Sequence, residues 1–176
     1  SAINEVLDPL ELEVFNTDKE ELDITATDEV LNFGVINRPD VIINCAAVTD
    51  TDLCEKEPEL AYRVNALGAR NLSIVARKTG AKMVQISTDD VFDGIRHTPY
   101  TEFDDTNPKT VYGRSKRAGE NYVKEFTHKH FILRSNWVYG NGNNFVNRVL
   151  HAADTKDELL IASDQFGSPT SAKDLA

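Results

Sequence analysis

The chain has 176 residues, 40% hydrophobic and 27% charged, which suits one globular domain with a sizeable core and leaves little room for a second complete one. Its formal net charge of −10 argues against nucleic acid or an anionic membrane as a partner. No apolar run reaches the roughly 18 residues of a membrane span, no signal-peptide pattern opens the chain, and Cys45 and Cys54 alone make neither a disulfide framework nor a four-ligand zinc site, so a reducing, cytoplasmic setting is expected.

In chain order, residues 2–8 read as the closing turns of a helix stopped at Asp8-Pro9. Leu10-Glu11-Leu12-Glu13-Val14-Phe15 alternates apolar and polar residues, the period of a strand, and Asp18 follows its end. Thr25 to Val35 predicts a helix capped by Thr25 or Thr27. Val41-Ile42-Ile43-Asn44-Cys45 is a β-branched run of the kind that fits a strand buried on both faces. Glu57 to Arg77 has helical period and ends at Gly80. Lys82 to Ile86 gives the next strand, residues 92–110 a long excursion, and Tyr112 to about Thr127 a helix. Phe131 to Leu133 reads as a strand, Asn143 to Ala153 as a helix and Leu159 to Ile161 as a short strand, and the chain stops near a new helix start.

Helix and strand alternate throughout, so the expected class is α/β: a doubly wound, mainly parallel, Rossmann-like sheet. Residues 1–134 are expected to form a nucleotide-binding core, and 135–176 the start of a substrate-binding portion. A dinucleotide fold opens with a strand and a glycine-rich turn, yet no glycine precedes Gly34. The expectation is therefore a fragment, with the first strand and the later substrate-binding portion outside it.

Three groups fall where strands should end. Asp18 could accept hydrogen bonds from an adenosine ribose, and a solvated loop aspartate satisfies the same pattern. The small residues of Asn44-Cys45-Ala46-Ala47-Val48-Thr49 would let a flat ligand approach the backbone, and tight core packing explains them equally. Ser87-Thr88-Asp89 presents a hydroxyl that could bind a carbonyl oxygen, although such a pair is also common in turns. Tyr112 and Lys116 stand four residues apart, one turn on one helix face. A neighbouring ammonium would favour the phenolate, lowering the phenol's pKa toward neutrality and preparing it for proton transfer.

Asn44-Cys45-Ala46-Ala47, Val64-Asn65-Ala66, Ser87-Thr88-Asp89 with Val91-Phe92-Asp93-Gly94, and Tyr112-Gly113-Arg114-Ser115-Lys116 resemble the extended short-chain dehydrogenases/reductases. Glu21 to Thr25, Arg134 to Gly140, Gly142 to Val146 and Asp164 to Thr170 bring the resemblance closer to the dTDP-4-dehydrorhamnose reductase family. That resemblance implies NADPH or NADH as cofactor and a dTDP-sugar as substrate, and leaves a homodimer open. It implies Tyr112 as proton donor, Lys116 as the group that lowers its pKa and binds the nicotinamide ribose, and Thr88 as the holder of the keto oxygen. Asp23 and Ile24 would flank the adenine, Ala47, Val48 and Thr49 would line the cofactor groove, Asp89 would line the substrate site, and Trp137 would cover the deoxysugar.

Asp90 stands where the family usually carries a tyrosine. A carboxylate there should raise the phenol pKa and oppose Lys116. It keeps two alternatives open: another extended short-chain enzyme such as a nucleotide-sugar epimerase or dehydratase, and a non-catalytic regulatory subunit like the methionine adenosyltransferase β subunit, which resembles the same family.

Overall fold

The computed structural model describes residues 1–142 and 144–176, in two compact units. Asn16–Arg134 forms the larger, and Ser1–Phe15 with Ser135–Ala176 the smaller.

In the larger unit, α2 (Thr27–Asn37) leads to β1 (Val41–Asn44), and α3 (Thr51–Lys56), α4 (Pro58–Tyr62), a π-helical turn (Arg63–Gly68) and α5 (Ala69–Thr79) lead to β2 (Lys82–Thr88). A 3₁₀ turn (Asp89–Val91), the long excursion, α6 (Val111–Phe126) and β3 (His130–Ser135) follow. The strands form a sheet ordered β1-β2-β3, with β1 and β2 parallel and Val41 opposite Lys82. α2, α5 and α6 pack side by side, with α5 against β1 and β2 and α6 against β2. Their apolar stripes enclose Val30, Leu72, Val75, Met83 and Val123, with Ile42 and Ile132 at the margin. Each such side chain contributes about 1.5–3 kcal/mol when fully buried.

Gly119 sets the spacing on this layer, since a Cβ there would lie 2.3 Å from the Asn65 carbonyl oxygen. That close approach brings α6 down onto the π turn.

Several expectations need correction. Val41 and Ile43 are 46% and 40% exposed, so β1 is not buried on both faces: the helices cover only the side that carries Ile42 and Asn44. The single helix expected over Glu57–Arg77 is three segments, because Glu57 ends α3, Pro58 begins α4, and the π turn widens the backbone at 63–68. α2 has Ala26 at its N-cap with no side-chain bond, and the nearby Asp23 carboxylate instead accepts from the Thr25 amide at 2.8 Å.

In the smaller unit, α1 (Ala2–Leu7) lies against α8 (Ala172–Leu175), and β4 (Val138–Tyr139) pairs in parallel with β5 (Thr170–Ser171). α7 (Phe145–Thr155) is capped by the Asn144 side chain, while Asn143, the first residue of the expected helix, lies outside the described residues. No strand forms over Leu10–Phe15 or Leu159–Ile161. A strand requires a neighbour to complete its ladder, and alternation or an apolar run cannot supply one; Leu12 and Leu160 are exposed instead. Among the described residues no helix is long and apolar enough to cross a membrane.

Candidate active site

The carboxyl end of β2 and the first turns of α6 meet in one cluster. Thr110 caps α6 by accepting from the Gly113 amide at 2.9 Å, and Glu55 of α3 accepts from the Val111 amide at 2.7 Å. Two of the helix's free N–H groups are thereby satisfied, which fixes where the helix starts. Gly113 lets this end press on the 3₁₀ turn, because a Cβ there would lie 2.1 Å from the Asp90 carbonyl oxygen.

These contacts bring Tyr112 within hydrogen-bonding reach of the Thr88 side chain. Thr88 is buried, caps the 3₁₀ turn by accepting from the Asp90 amide at 3.2 Å, and lies 3.3 Å from Asp89 Oδ1. Lys116 is also buried, and its ammonium donates to the Ile86 carbonyl at 2.7 Å. The expected Thr88–Tyr112–Lys116 grouping is present, with Lys116 turned into the protein.

The electrostatics differ from the sequence-based expectation. The Tyr112 phenol is pushed up to about 12, first by burial and then by the nearby Asp90 and Asp89 carboxylates, with the Thr88 bond opposing. Burial brings Lys116 down to about 8, while Glu120 and Cys45 act in the other direction. Lys116 therefore does not bring the phenol toward neutrality. Its ammonium is held by a backbone carbonyl, and desolvation of the phenol prevails. The opposing influence expected of Asp90 is present. Burial also raises the Asp89 and Asp90 carboxyls, and Asp90 adds like-charge repulsion to Asp89. The phenol is consequently a protonated donor at neutral pH.

Of the residues expected to line a cofactor groove, Val48 is fixed by a side chain that the sequence showed only as part of a motif. Asn65, in the π turn, accepts from the Val48 amide at 2.8 Å and donates to the Val48 carbonyl at 3.0 Å and to Ser115 Oγ at 2.9 Å. Ser115 in turn donates to the Tyr112 carbonyl at 2.8 Å. Asn44 steadies the same strand end by donating to Gln85 and accepting from the Ala46 amide. Ala47 and Val48 are half-buried, and Thr49 is exposed. An asparagine mid-helix reads as a neutral choice in sequence; only the π turn aims it at the loop after β1.

Asp23 and Ile24 lie at the start of α2. The Asp23 carboxyl is held below its ordinary value by its bonds to Thr25, and Ile24 packs on Gly68 and accepts through its carbonyl from Asn71. Asp18 forms a reciprocal cap: its Oδ1 accepts from the Glu20 and Glu21 amides, and Glu21 Oε2 accepts from the Asp18 amide. The structure thus gives Asp18 a local turn-forming part. In the smaller unit, Trp137 has a left-handed backbone (φ 41°), tilts 5.9 Å from Phe145 and borders Gly167.

Glu120 went unnoticed in the sequence. It is 1% exposed, accepts from Ser87 Oγ at 2.6 Å, and is gripped by Arg134 through Nε at 2.9 Å and a terminal nitrogen at 2.6 Å. Its spacing of four from Lys116 was the available signal.

A hydroxyl, a phenol and an ammonium gathered at the carboxyl end of a parallel strand define a Rossmann-like domain of the extended short-chain dehydrogenase/reductase class. The chain belongs to the RmlD substrate binding domain family, whose model matches residues 1–176. It is 49% identical over 140 residues to the spore coat polysaccharide biosynthesis protein SpsK of Bacillus subtilis, covering 79% of this chain and 50% of that protein. Among solved structures it resembles a dTDP-4-dehydrorhamnose reductase from Clostridium acetobutylicum, with a TM-score of 0.97, 47% identity, and coverage of 99% of this chain and 62% of that one. It also resembles the Bacillus anthracis dTDP-4-dehydrorhamnose reductase in complex with NADP, with a TM-score of 0.94, 45% identity, and coverage of 98% and 62%. The chain spans about half the length of the curated relatives it matches.

Proposed function

We propose that the whole protein reduces the 4-keto group of dTDP-4-dehydro-L-rhamnose, using NADPH or NADH. The observation that carries this reading is the half-buried Tyr112 phenol, protonated and beside the buried Thr88 hydroxyl, with buried Lys116 one helical turn further on. The residues present fit the nicotinamide end of a dinucleotide. Beside them the loop after β1 opens with the small, exposed Cys45 and Ala46, and Asn65 anchors its backbone at Val48. Lys116 and Tyr112 would hold the ribose, Ala47, Val48 and Thr49 would line the groove, and Asp23 and Ile24 would flank the adenine. Asp18 would face the adenosine ribose.

When bound, the dinucleotide supplies the hydride that adds to the ketone carbon. Tyr112 gives its proton to the ketone oxygen as that bond forms, and Thr88 donates a hydrogen bond to the same oxygen. The phenolate left behind, with a conjugate acid near 12, regains a proton from solvent readily. Asp89 would line the sugar site and Trp137 would cover the deoxysugar face. A cytoplasmic enzyme, with no nucleic-acid or membrane partner and a homodimer as its assembly, completes the reading.

The test is the whole protein with dTDP-4-dehydro-L-rhamnose and NADPH, following absorbance at 340 nm. One NADPH oxidised per sugar reduced is expected. Turnover of a nucleotide sugar without net NADPH consumption would mean an epimerase or dehydratase. Failure to oxidise NADPH with any keto-sugar, together with co-purification of a catalytic partner, would mean a regulatory subunit.

The pH dependence follows from the same groups. Reduction requires Tyr112 protonated, which holds up to about pH 12, and Lys116 charged, which holds only up to about pH 8. kcat/KM for reduction is therefore expected to stay level through neutral pH and to fall as pH rises through about 8, on a plot of initial rates against pH. A rate that climbs through that window would remove Lys116 from the assigned role.

A further inference from the structure

Tyr112, Lys116 and Glu120 stand at four-residue intervals on α6, and each meets β2: Tyr112 at Thr88, Lys116 at the Ile86 carbonyl, Glu120 at Ser87. The first two belong to the site, and the third is a buried carboxylate with no place in the chemistry described above. We propose that Glu120 is a positioning residue for that site: its carboxylate fixes the registration of α6 on β2 and sustains the positive charge of Lys116.

Two independent features carry this inference, which rests on the reductase reading of Tyr112 and Lys116. The first is geometric. Both Glu120 oxygens are engaged, Oε1 by Ser87 and Arg134 and Oε2 by Arg134, so the helix is tied at once to β2 and β3. Ser87 directly precedes Thr88, so a slip of α6 along β2 that breaks the Glu120 contact also separates Tyr112 from Thr88. The Arg134 guanidinium also lies 4.9 Å over the Phe92 ring, which stacks on Tyr100, so the same tie reaches into the excursion after the 3₁₀ turn.

The second is electrostatic. The charged or titratable groups acting on Lys116 are Glu120 on its own helix and Cys45 beyond β1, both of which favour the ammonium against burial. Arg134 of β3 acts through its pairing with Glu120, and Lys124 lies 4.0 Å from that carboxylate. Tyr112 is the remaining titratable group of this helix face, and Asp89 and Asp90 of the 3₁₀ turn act on it. Glu120 is the carboxylate in this set that favours the ammonium, and it is shielded from solvent, where an opposite charge acts strongly.

The experiment reads Lys116 itself. Acetylation of the whole protein by acetic anhydride is followed against pH, with the Lys116 peptide quantified by mass spectrometry, because only the neutral amine reacts. Glu120→Gln is expected to move the Lys116 labelling midpoint down by about one pH unit, the low end of the range for an opposite charge, here one helical turn away. Glu120→Asp, which restores the charge, should return the midpoint toward wild type. Thermal unfolding monitors packing in parallel. An unchanged midpoint in Glu120→Gln, or equal shifts in Glu120→Gln and Glu120→Asp, would overturn the proposal and leave Glu120 a purely structural residue. If Glu120→Gln does not fold, Glu120→Met removes the same charge without a stranded amide. The midpoint should again fall, and an unchanged midpoint would overturn the proposal. None of these readings depends on turnover, so loss of the reductase assignment and loss of this one are distinguishable.

Discussion

Replacing Tyr112 with phenylalanine in the whole protein is expected to lower kcat/KM for keto-sugar reduction by about a hundred- to ten-thousand-fold, the usual span for a positioned general acid. The substitution deletes one oxygen. The ring keeps its place beside Cys54, Ala61 and Val111, so the fold and the groove should survive. Cofactor affinity, measured by fluorescence titration with NADPH, should change little. Thr88 remains to hold the ketone oxygen, but a hydroxyl that can only donate a hydrogen bond leaves the developing alkoxide without a proton. Near-full turnover by this variant would exclude Tyr112 as the donor.

Asn65→Leu is expected to have the second-largest effect, and on stability. Asn65 is 2% exposed, and its amide satisfies the Val48 amide and carbonyl and meets the Ser115 hydroxyl. Leucine fills similar space but leaves the Val48 amide without its partner, and the Val48 carbonyl with only the Cys54 thiol at 3.6 Å, beside an apolar side chain. Stranding a polar group in this way costs about 1–3 kcal/mol when it is fully buried, so a loss of about 2 kcal/mol is expected from chemical denaturation of the whole protein. Because the clamp also holds the loop after β1, the NADPH dissociation constant should rise roughly tenfold, equivalent to about 1.4 kcal/mol. A variant with wild-type stability and affinity would mean that the loop is fixed by other contacts.

The contrast between these two residues shows what the sequence could and could not reveal. Tyr112 was legible because its partner Lys116 lies one helical turn away and Thr88 ends a β-branched strand. Local spacing sufficed. The parallel sheet was legible for similar reasons: the apolar run Val41–Ile43 and the alternating stretch Lys82–Thr88 are separated by a helix-length segment. Asn65 acts across 17 residues to Val48 and 50 to Ser115, and the π turn that aims it leaves no mark in the hydrophobic period. Glu120 likewise depends on Arg134, a partner fourteen residues on in another element.

Charge was the least legible. The sequence placed a cation next to a phenol and implied an acidic phenol. Folding sends that cation to the Ile86 carbonyl and places the phenol in a desolvated pocket near two carboxylates. Proximity in sequence set the sign wrongly because solvation, which no spacing encodes, dominates. The strand expected at Leu10–Phe15 failed for a related reason: its alternation is real, but a ladder needs a second backbone.

The need for a partner strand has a practical side within the larger unit as well. β1 is the outermost strand of its sheet, no strand of the described residues lies along its far side, and Val41 and Ile43 face outward. Such a rim is adhesive: its free amides and carbonyls can recruit any extended stretch, including the same rim of another molecule. Handled on its own, this polypeptide should clump as its concentration rises, and a lysine in place of Ile43 should keep it dispersed.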